Sequence, residues 1–132
     1  MLPTAPGYDK ERLADGRVLC FRFRDLKPAT VDAWARDLTA ELTGWPDGQP
    51  WRLLLDIRLE GNTVNTYALR HARAIANLRP DLPGRLALLV ASRLAADVVS
   101  IALRAASNRY RQRQVFVNET LALRWLLENN AV

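Results

Sequence analysis

The strongest chemical feature of the sequence is an aspartate that ends an apolar run and is followed by a polar loop. The segment WRLLLDI reaches Asp56, and the residues from there to Thr66 are rich in amides and hydroxyls. A carboxylate here could serve acid–base chemistry or pair with a cation, and a hydroxyl before a helix could cap it or carry a phosphate. The candidate binding or regulatory residues of this segment are Asp56, Arg58, Asn62, Thr63, Asn65 and Thr66.

Two interpretations of the polar loop are open. A phosphate on Thr63 or Thr66 would add about two negative charges at a helix N-terminus, where Arg58 and Arg93 could hold it or where it could repel a partner. Alternatively, the Asn and Thr side chains only satisfy the free N–H groups of the helix, each cap being worth roughly 1 kcal/mol. We favour capping, because Asn and Thr occupy such positions for ordinary structural reasons.

The sequence offers no recognisable catalytic or metal-binding constellation. A triad of Ser92, His71 and Asp56 would require a residue from the middle of a helical pattern to point back at the strand ends. A zinc site needs several closely placed ligands, and the chain has a single cysteine, Cys20, and a single histidine. We therefore expect a protein that is not an enzyme and that uses no cofactor and no metal.

The basic charge of the chain raises the question of nucleic-acid binding. The formal net charge is +5, and its densest cluster, NRYRQRQ, places Arg109, Arg111 and Arg113 around Tyr110. Such a cluster could contact phosphates and stack one base. We favour the plainer interpretation that these arginines end a helix and then face water on a strand, so nucleic acid is not the expected partner.

Length and composition indicate one globular domain over residues 1–132, with residues 1–7 flexible. The chain has 132 residues, of which 49% are hydrophobic and 25% charged, as in ordinary single-core domains. No apolar segment approaches the roughly 20 residues that cross a bilayer, and the N-terminus lacks the pattern of a secretory signal. Cys20 lies in the apolar run VLCFRF and is expected to be a small buried hydrophobe. These features predict a cytoplasmic protein that does not insert into membranes.

Hydrophobic periodicity predicts a β-hairpin followed by alternating helices and strands. The turn between the two hairpin strands carries an Asp-Gly pair, the first helix has Thr30 as its N-cap and Gly44 at its end, and the last helix follows the N-cap Asn118. The predicted strands cover residues 8–13, 17–24, 52–57, 85–92 and 114–117, and the predicted helices cover 30–44, 64–78, 94–110 and a segment after 118.

This alternation predicts an α/β fold with a mixed, mainly parallel sheet of four or five strands and about four helices. Such sheets bind ligands beyond the carboxyl ends of their strands. That rim would bring together the loop after Asp56, the residues Ser92 and Arg93 after the next strand, and residues 117–119 after the last one. We expect any binding activity to lie there.

Four tryptophans are many for a chain of this length. Trp34 and Trp125 fall on apolar helical stripes and are expected in the core. Trp45 and Trp51 flank a proline-containing loop and are expected to be partly exposed, which would mark a partner surface.

The order of elements, the strand LLLDI with its polar loop, and the ending QVFVNETLALRWLLEN resemble the SpoIIAA-like proteins of the STAS group (sulphate transporter and anti-sigma factor antagonist). The resemblance covers roughly residues 16–129. It implies a non-catalytic regulatory module in which Asp56 matches the strand-end aspartate and Thr63 or Thr66 occupies the position of the phosphorylated hydroxyl. The usual Asp-Ser-Ser-Gly pattern is absent from NTVNTY.

We therefore expect a STAS-like module that contacts a protein partner or self-associates, in anti-sigma antagonist-type signalling. One alternative is a binder or sensor of a small apolar, lipid-like or anionic ligand held near Asp56, Arg58 and Arg93. A weaker alternative is nucleic-acid binding through residues 109–113.

Overall fold

The chain alternates helices and strands after an N-terminal hairpin, as the sequence predicts. A computed structural model describes residues 7–59, 66–76, 78–79, 81–104 and 111–128. In chain order the elements are β1 Tyr8–Leu13, β2 Val18–Phe23, α1 Pro28–Thr43, β3 Trp51–Asp56, α2 Thr66–Ala76, β4 Gly84–Leu89, α3 Arg93–Arg104, β5 Arg111–Phe116 and α4 Glu119–Leu126. None of these described helices is long and apolar enough to span a bilayer.

The strands form one five-stranded sheet in the order β1-β2-β3-β4-β5. β1 pairs antiparallel with β2, and every later neighbour pairs in parallel. This topology confirms the predicted α/β class and the mixed, mainly parallel sheet. The carboxyl ends of β2, β3, β4 and β5 consequently lie along one rim of the sheet, which we call the carboxyl rim.

The hairpin turn passes through a left-handed backbone at three successive residues. Ala14, Asp15 and Gly16 have φ angles of 53°, 58° and 86°. The N–H of Gly16 donates to the carbonyl of Leu13 over 3.1 Å. Because positive φ is easiest for glycine and tolerable for aspartate, the Asp-Gly pair fixes where β1 turns back onto β2.

The two faces of the sheet are covered unequally. Alternate residues of β3 point to opposite sides, so that Leu53 and Leu55 pack beneath α1, α2 and α3 whereas Leu54 packs beneath α4. Leu54 is fully buried and the other two nearly so, which confirms a strand covered on both faces. We call the two sides the three-helix face and the α4 face.

Helix α1 begins two residues earlier than predicted. Its N-cap position is Lys27, whose side chain makes no capping hydrogen bond, and Pro28 occupies the first turn, where its missing N–H is no loss. The prediction of Thr30 as N-cap is therefore wrong. The Thr30 hydroxyl instead donates to Asp25 over 2.6 Å and accepts from the N–H of Gly7 over 3.2 Å, so it fixes the chain before β1.

Trp51 corrects a second expectation, because it is 5% exposed and belongs to the core instead of a surface patch. It lies opposite Gly84 in the sheet, and a Cβ atom at Gly84 would come within 2.7 Å of the Trp51 carbonyl oxygen and 2.8 Å of its indole nitrogen. Glycine is thus required for this close approach. Trp45 is half-buried, and its indole N–H donates to the carbonyl of Gln49 over 3.1 Å.

Helix α4 is held at both ends. The Asn118 side chain accepts a hydrogen bond from the N–H of Leu121, which confirms it as the N-cap. At the other end, Arg52 donates to the carbonyl of Leu126 over 2.7 Å and Arg85 to that of Trp125 over 2.6 Å. Arginines at these last carbonyls complement the negative end of the helix dipole.

Cys20 lies beneath α4 and is completely buried, as predicted. Burial raises the pKa of its thiol to about 12, so the thiolate form is scarce at neutral pH. Cys20 therefore acts as a small core residue.

Candidate functional site

The register of the sheet places Asp56 beside an arginine from the hairpin. Arg22 of β2 is the direct neighbour of Asp56 in β3. Both residues alternate onto the α4 face, where the first turn of α4 brings Glu119 above them. The carboxyl rim thus gathers charged side chains from three elements that are distant in sequence.

These side chains form one ion-pair network, consisting of Glu11, Arg22, Asp56, Arg58 and Glu119. Arg22 donates to Asp56 over 2.9 Å, to Glu119 over 2.8 and 3.1 Å, and to Glu11 over 2.7 Å. Arg58 grips both oxygens of Asp56, at 3.0 and 2.8 Å, and reaches Glu119 at 3.3 Å. Two guanidinium groups therefore bridge three carboxylates.

Asp56 is the most buried carboxylate of the network, with a side chain only 10% exposed. Burial by itself would raise the pKa of Asp56, but hydrogen bonds from Arg58 and Arg22 outweigh it and hold the pKa below its ordinary value. The hydrogen bond from Arg22 likewise lowers the pKa of Glu119. Both groups stay charged at neutral pH, and their oxygens already accept hydrogen bonds from within the chain.

This arrangement supports structure better than chemistry. A general base needs a pKa near the working pH and room to reach a substrate proton, whereas Asp56 has a lowered pKa and is held by two arginines. The network instead links β1, β2, β3 and α4. Sequence analysis missed Arg22 and Glu11, and it placed Glu119 at the rim without naming it as a site residue. The available signals were the arginine that interrupts VLCFRF and the acid directly after the Asn118 cap.

The predicted site residues separate into groups. Asp56 and Arg58 pair with each other, as described above. Asn62, Thr63 and Asn65 lie outside the residues that the structure describes.

The remaining candidates, Thr66, Ser92 and Arg93, lie at the starts of α2 and α3. Thr66 is exposed at the first position of α2. The Ser92 hydroxyl accepts from the N–H of Ala95 over 3.1 Å, so it caps α3. Arg93 is exposed, and within the described ranges no hydrogen bond or ion pair joins it or Ser92 to the ion-pair network. The carboxyl rim therefore carries these residues without uniting them in one site.

The single histidine has different partners from those of the rejected triad. His71 Nε2 lies 3.5 Å from an Asp32 carboxylate oxygen, and its ring packs 4.8 Å from that of Tyr67. The Tyr67 hydroxyl also donates to Asp32. These contacts tie α2 to α1. Within the described part of the chain, no group of three His, Cys, Asp or Glu side chains could hold a metal ion.

The basic cluster does not present three arginines to solvent together. Arg109 lies outside the described residues, and the side chain of Arg111 is also outside them. Arg113 is half-buried on β5, and neither of its terminal nitrogens has a hydrogen-bond partner among the described residues. Burial lowers the pKa of its guanidinium group. Buried nitrogens cannot form the exposed phosphate contacts that nucleic-acid binding requires.

Large apolar side chains are exposed on both sides of β5. Leu94 and Val98 are 75% and 54% exposed, one turn apart on α3. Val117 and Leu121 are 44% and 48% exposed, at the end of β5 and in the first turn of α4. Three of the four lie at or beside the carboxyl rim. Sequence analysis named residue 117 as part of the rim but did not identify these side chains as a surface.

Comparison with known proteins gives no match to this chain among protein-family models, curated proteins or solved structures. The resemblance to SpoIIAA-like proteins accordingly stays a prediction made from the sequence.

Proposed function

We propose that this chain is a non-catalytic, STAS-like interaction module of the cytoplasm, which binds a protein partner or a second copy of itself at the carboxyl rim beside β5. The observation that carries the proposal is the exposure of Leu94, Val98, Val117 and Leu121. Two of them lie one turn apart on α3 and the other two follow the end of β5, and exposed apolar side chains of this size mark surfaces that partners bury.

The geometry of the rim supports contact through apolar groups instead of charges. The charges of Asp56, Arg58 and Glu119 are satisfied inside the chain, so recruiting them for a partner would first break existing ion pairs. The apolar side chains of Leu94 and Val98 form no ion pairs that a partner would first have to break. A partner that covers them would gain roughly 25 cal/mol for each Å² of apolar surface removed from water.

Binding of an anionic ligand near Asp56, Arg58 and Arg93 has less support. Arg58 already donates to two carboxylates, and Asp56 would repel an anion placed beside it. Arg93 is exposed and lies outside the ion-pair network.

Regulation by phosphorylation belongs to the same proposal. Thr66 is exposed at the N-terminus of the 11-residue helix α2, where a kinase could reach it and where the positive end of the helix dipole would favour a phosphate. Anti-sigma antagonist-type signalling would use such a modification to control the partner contact. Mass spectrometry of the protein from its native host tests this part, and an unmodified Thr66 in every growth state would contradict it.

The interface is tested with the double variant Leu94→Ser/Val98→Ser. Native mass spectrometry of freshly purified protein shows whether it carries a partner or is a dimer, because either adds a defined mass. We expect the complex in the natural protein and its loss in the double variant, since two exposed apolar anchors are removed. Circular dichroism verifies that the variant is folded.

The matched control is Arg36→Ser, which changes an exposed residue of α1 on the three-helix face. It should leave the complex intact. A natural protein that is strictly monomeric and free of partners, or a double variant that retains the complex, would contradict the proposed interface.

A further inference from the structure

The three-helix face contains an apolar cavity that is partly open to solvent. Its volume is about 90 Å³, and it lies between the ends of β2, β3 and β4 and the inward sides of α1, α2 and α3. The wall residues that matter here are Phe23, Leu55, Leu88, Trp34, Ala68 and Ala72.

The cavity wall is almost entirely carbon. A bound water needs two to four polar partners, so this apolar wall offers water little and favours a hydrocarbon occupant. For comparison, an engineered apolar cavity of about 150 Å³ binds benzene. The volume found here is smaller but of the same order, and it suits a hydrocarbon group of up to about the size of one ring.

Small residues on α2 create this volume. Ala68 and Ala72 lie one turn apart and direct only methyl groups at the sheet, opposite Leu55 and Leu88. The Tyr67 hydroxyl holds α2 to α1 through Asp32, so the helix is supported at its side while the space beneath it stays open. An empty volume forfeits contacts that an occupant would restore.

We infer that this cavity binds an uncharged hydrocarbon group, either a small free molecule or the end of an acyl chain. This inference is independent of the protein interface, because the cavity lies under α2 and its wall includes none of the four exposed residues beside β5. The sequence predicted a small ligand at the carboxyl ends of the strands, near Asp56. The cavity lies at those ends but on the opposite face of β3 from Asp56.

The test is a titration of the full chain with toluene, followed by NMR of the leucine and valine methyl groups. We expect saturable shifts at Leu55, Leu88 and Val99, which line the cavity, and none at Leu54 or Leu126 on the α4 face. The absence of saturable shifts up to the solubility limit of toluene would overturn the inference, as would shifts confined to the α4 face.

Two substitutions on one helix locate the site. Ala72→Leu fills the cavity and should weaken toluene binding at least about tenfold. Ala74→Leu makes the same change at an exposed position of α2 and should leave the affinity within about twofold. If Ala72→Leu does not fold, Ala68→Val provides a smaller filling of the same cavity. Equal affinities for the natural protein and a folded filling variant would place the binding elsewhere and overturn the inference.

A second titration with octanoate separates the two sources of the hydrocarbon group. Its charged head must remain outside the apolar wall, so only its tail can enter. Tighter binding of octanoate than of toluene, with shifts at the same methyl groups, would support an acyl chain as the occupant. Tighter binding of toluene would support a small free molecule.

Discussion

The helices on the two faces of the sheet are held by different kinds of interaction. On the α4 face, charged side chains grip a short helix at both ends, with Glu119 held by Arg22 and the Trp125 carbonyl held by Arg85. On the three-helix face, a larger set of apolar side chains packs beneath α1, α2 and α3 but leaves a cavity of about 90 Å³. Directional contacts therefore position α4, whereas the opposite face keeps space that a ligand could occupy.

The largest expected effect on stability comes from substituting two neighbouring leucines, one on each face of the sheet. We expect Leu54→Ala to lower the free energy of unfolding by about 3–4 kcal/mol, because Leu54 is fully buried beneath α4. Leu55→Ala should cost about 1–2 kcal/mol less, since Leu55 already borders empty volume and has fewer contacts to lose. Urea denaturation measures both. Equal losses would show that the two faces are equally well packed.

The next test concerns the hydrogen bonds from Arg85 to the C-terminal end of α4. Arg85→Met should lower the free energy of unfolding by about 2 kcal/mol, because it removes the hydrogen bonds from this nearly buried guanidinium to the Trp125 carbonyl, Glu128 and Gln112. Arg93→Met is the control, since Arg93 is exposed and has no such partner among the described residues. It should change stability by less than about 0.5 kcal/mol. Similar effects of the two substitutions would show that the Arg85 hydrogen bonds do not stabilise the end of α4.

The pH dependence tests the ion-pair network at the other end of α4. The folded-state pKa of Asp56 lies below its ordinary value, so its contribution to stability is present above about pH 4 and is lost as the pH falls through the folded pKa. Asp56→Asn should be less stable than the natural protein by about 1 kcal/mol at pH 7. This difference should stay constant from pH 7 to about pH 5 and shrink as the pH falls below about 4.

Asp15→Asn removes the same charge from an exposed residue of the hairpin turn that lies outside the ion-pair network. Its stability difference should stay small throughout the same series of urea titrations. A constant difference for Asp56→Asn would mean that the network does not depend on the ionised carboxylate.

The smallest expected effect is a gain in stability. Ala72→Leu should raise the free energy of unfolding by about 0.5–1 kcal/mol, because the larger side chain fills existing space on the three-helix face. Ala74→Leu, on the exposed side of the same helix, should change it little. Differential scanning calorimetry can resolve the pair. A loss of stability in Ala72→Leu alone would show that the cavity cannot accommodate added atoms.

Periodicity and turn residues were sufficient to predict the fold. The Asp-Gly turn, the uninterrupted leucine run of β3 and the Asn118 cap each express a local preference that the structure keeps. The start of α1 was misplaced because Thr30 resembles a cap, although Pro28 two residues earlier was the better signal. Several residues near a helix start can each favour a different first residue, and the sequence does not show that Thr30 pairs with Asp25 instead of capping the helix.

The sequence predicted the site less well than the fold, because the contacts of the site also depend on tertiary partners. Asp56 could be placed at the rim from its position after β3, and the segment ending at Glu119 was expected nearby. That Arg22 would pair with both depends on the register of β2 against β3, which no local pattern specifies. The burial of Trp51 likewise depends on its neighbour Gly84 across the sheet. The cavity depends on how closely α2 approaches the strands.

The neighbour-by-neighbour order of the strands has a consequence for biosynthesis. Because each strand pairs with the strand before it, the sheet can grow by one strand at a time as the chain leaves the ribosome. The contact from Glu119 back to Arg22 spans 97 residues and forms only after α4 has been made. Until then Cys20, Leu54 and Ala87 have no cover, so we expect chaperones to engage the nascent protein on that side until its last helix arrives.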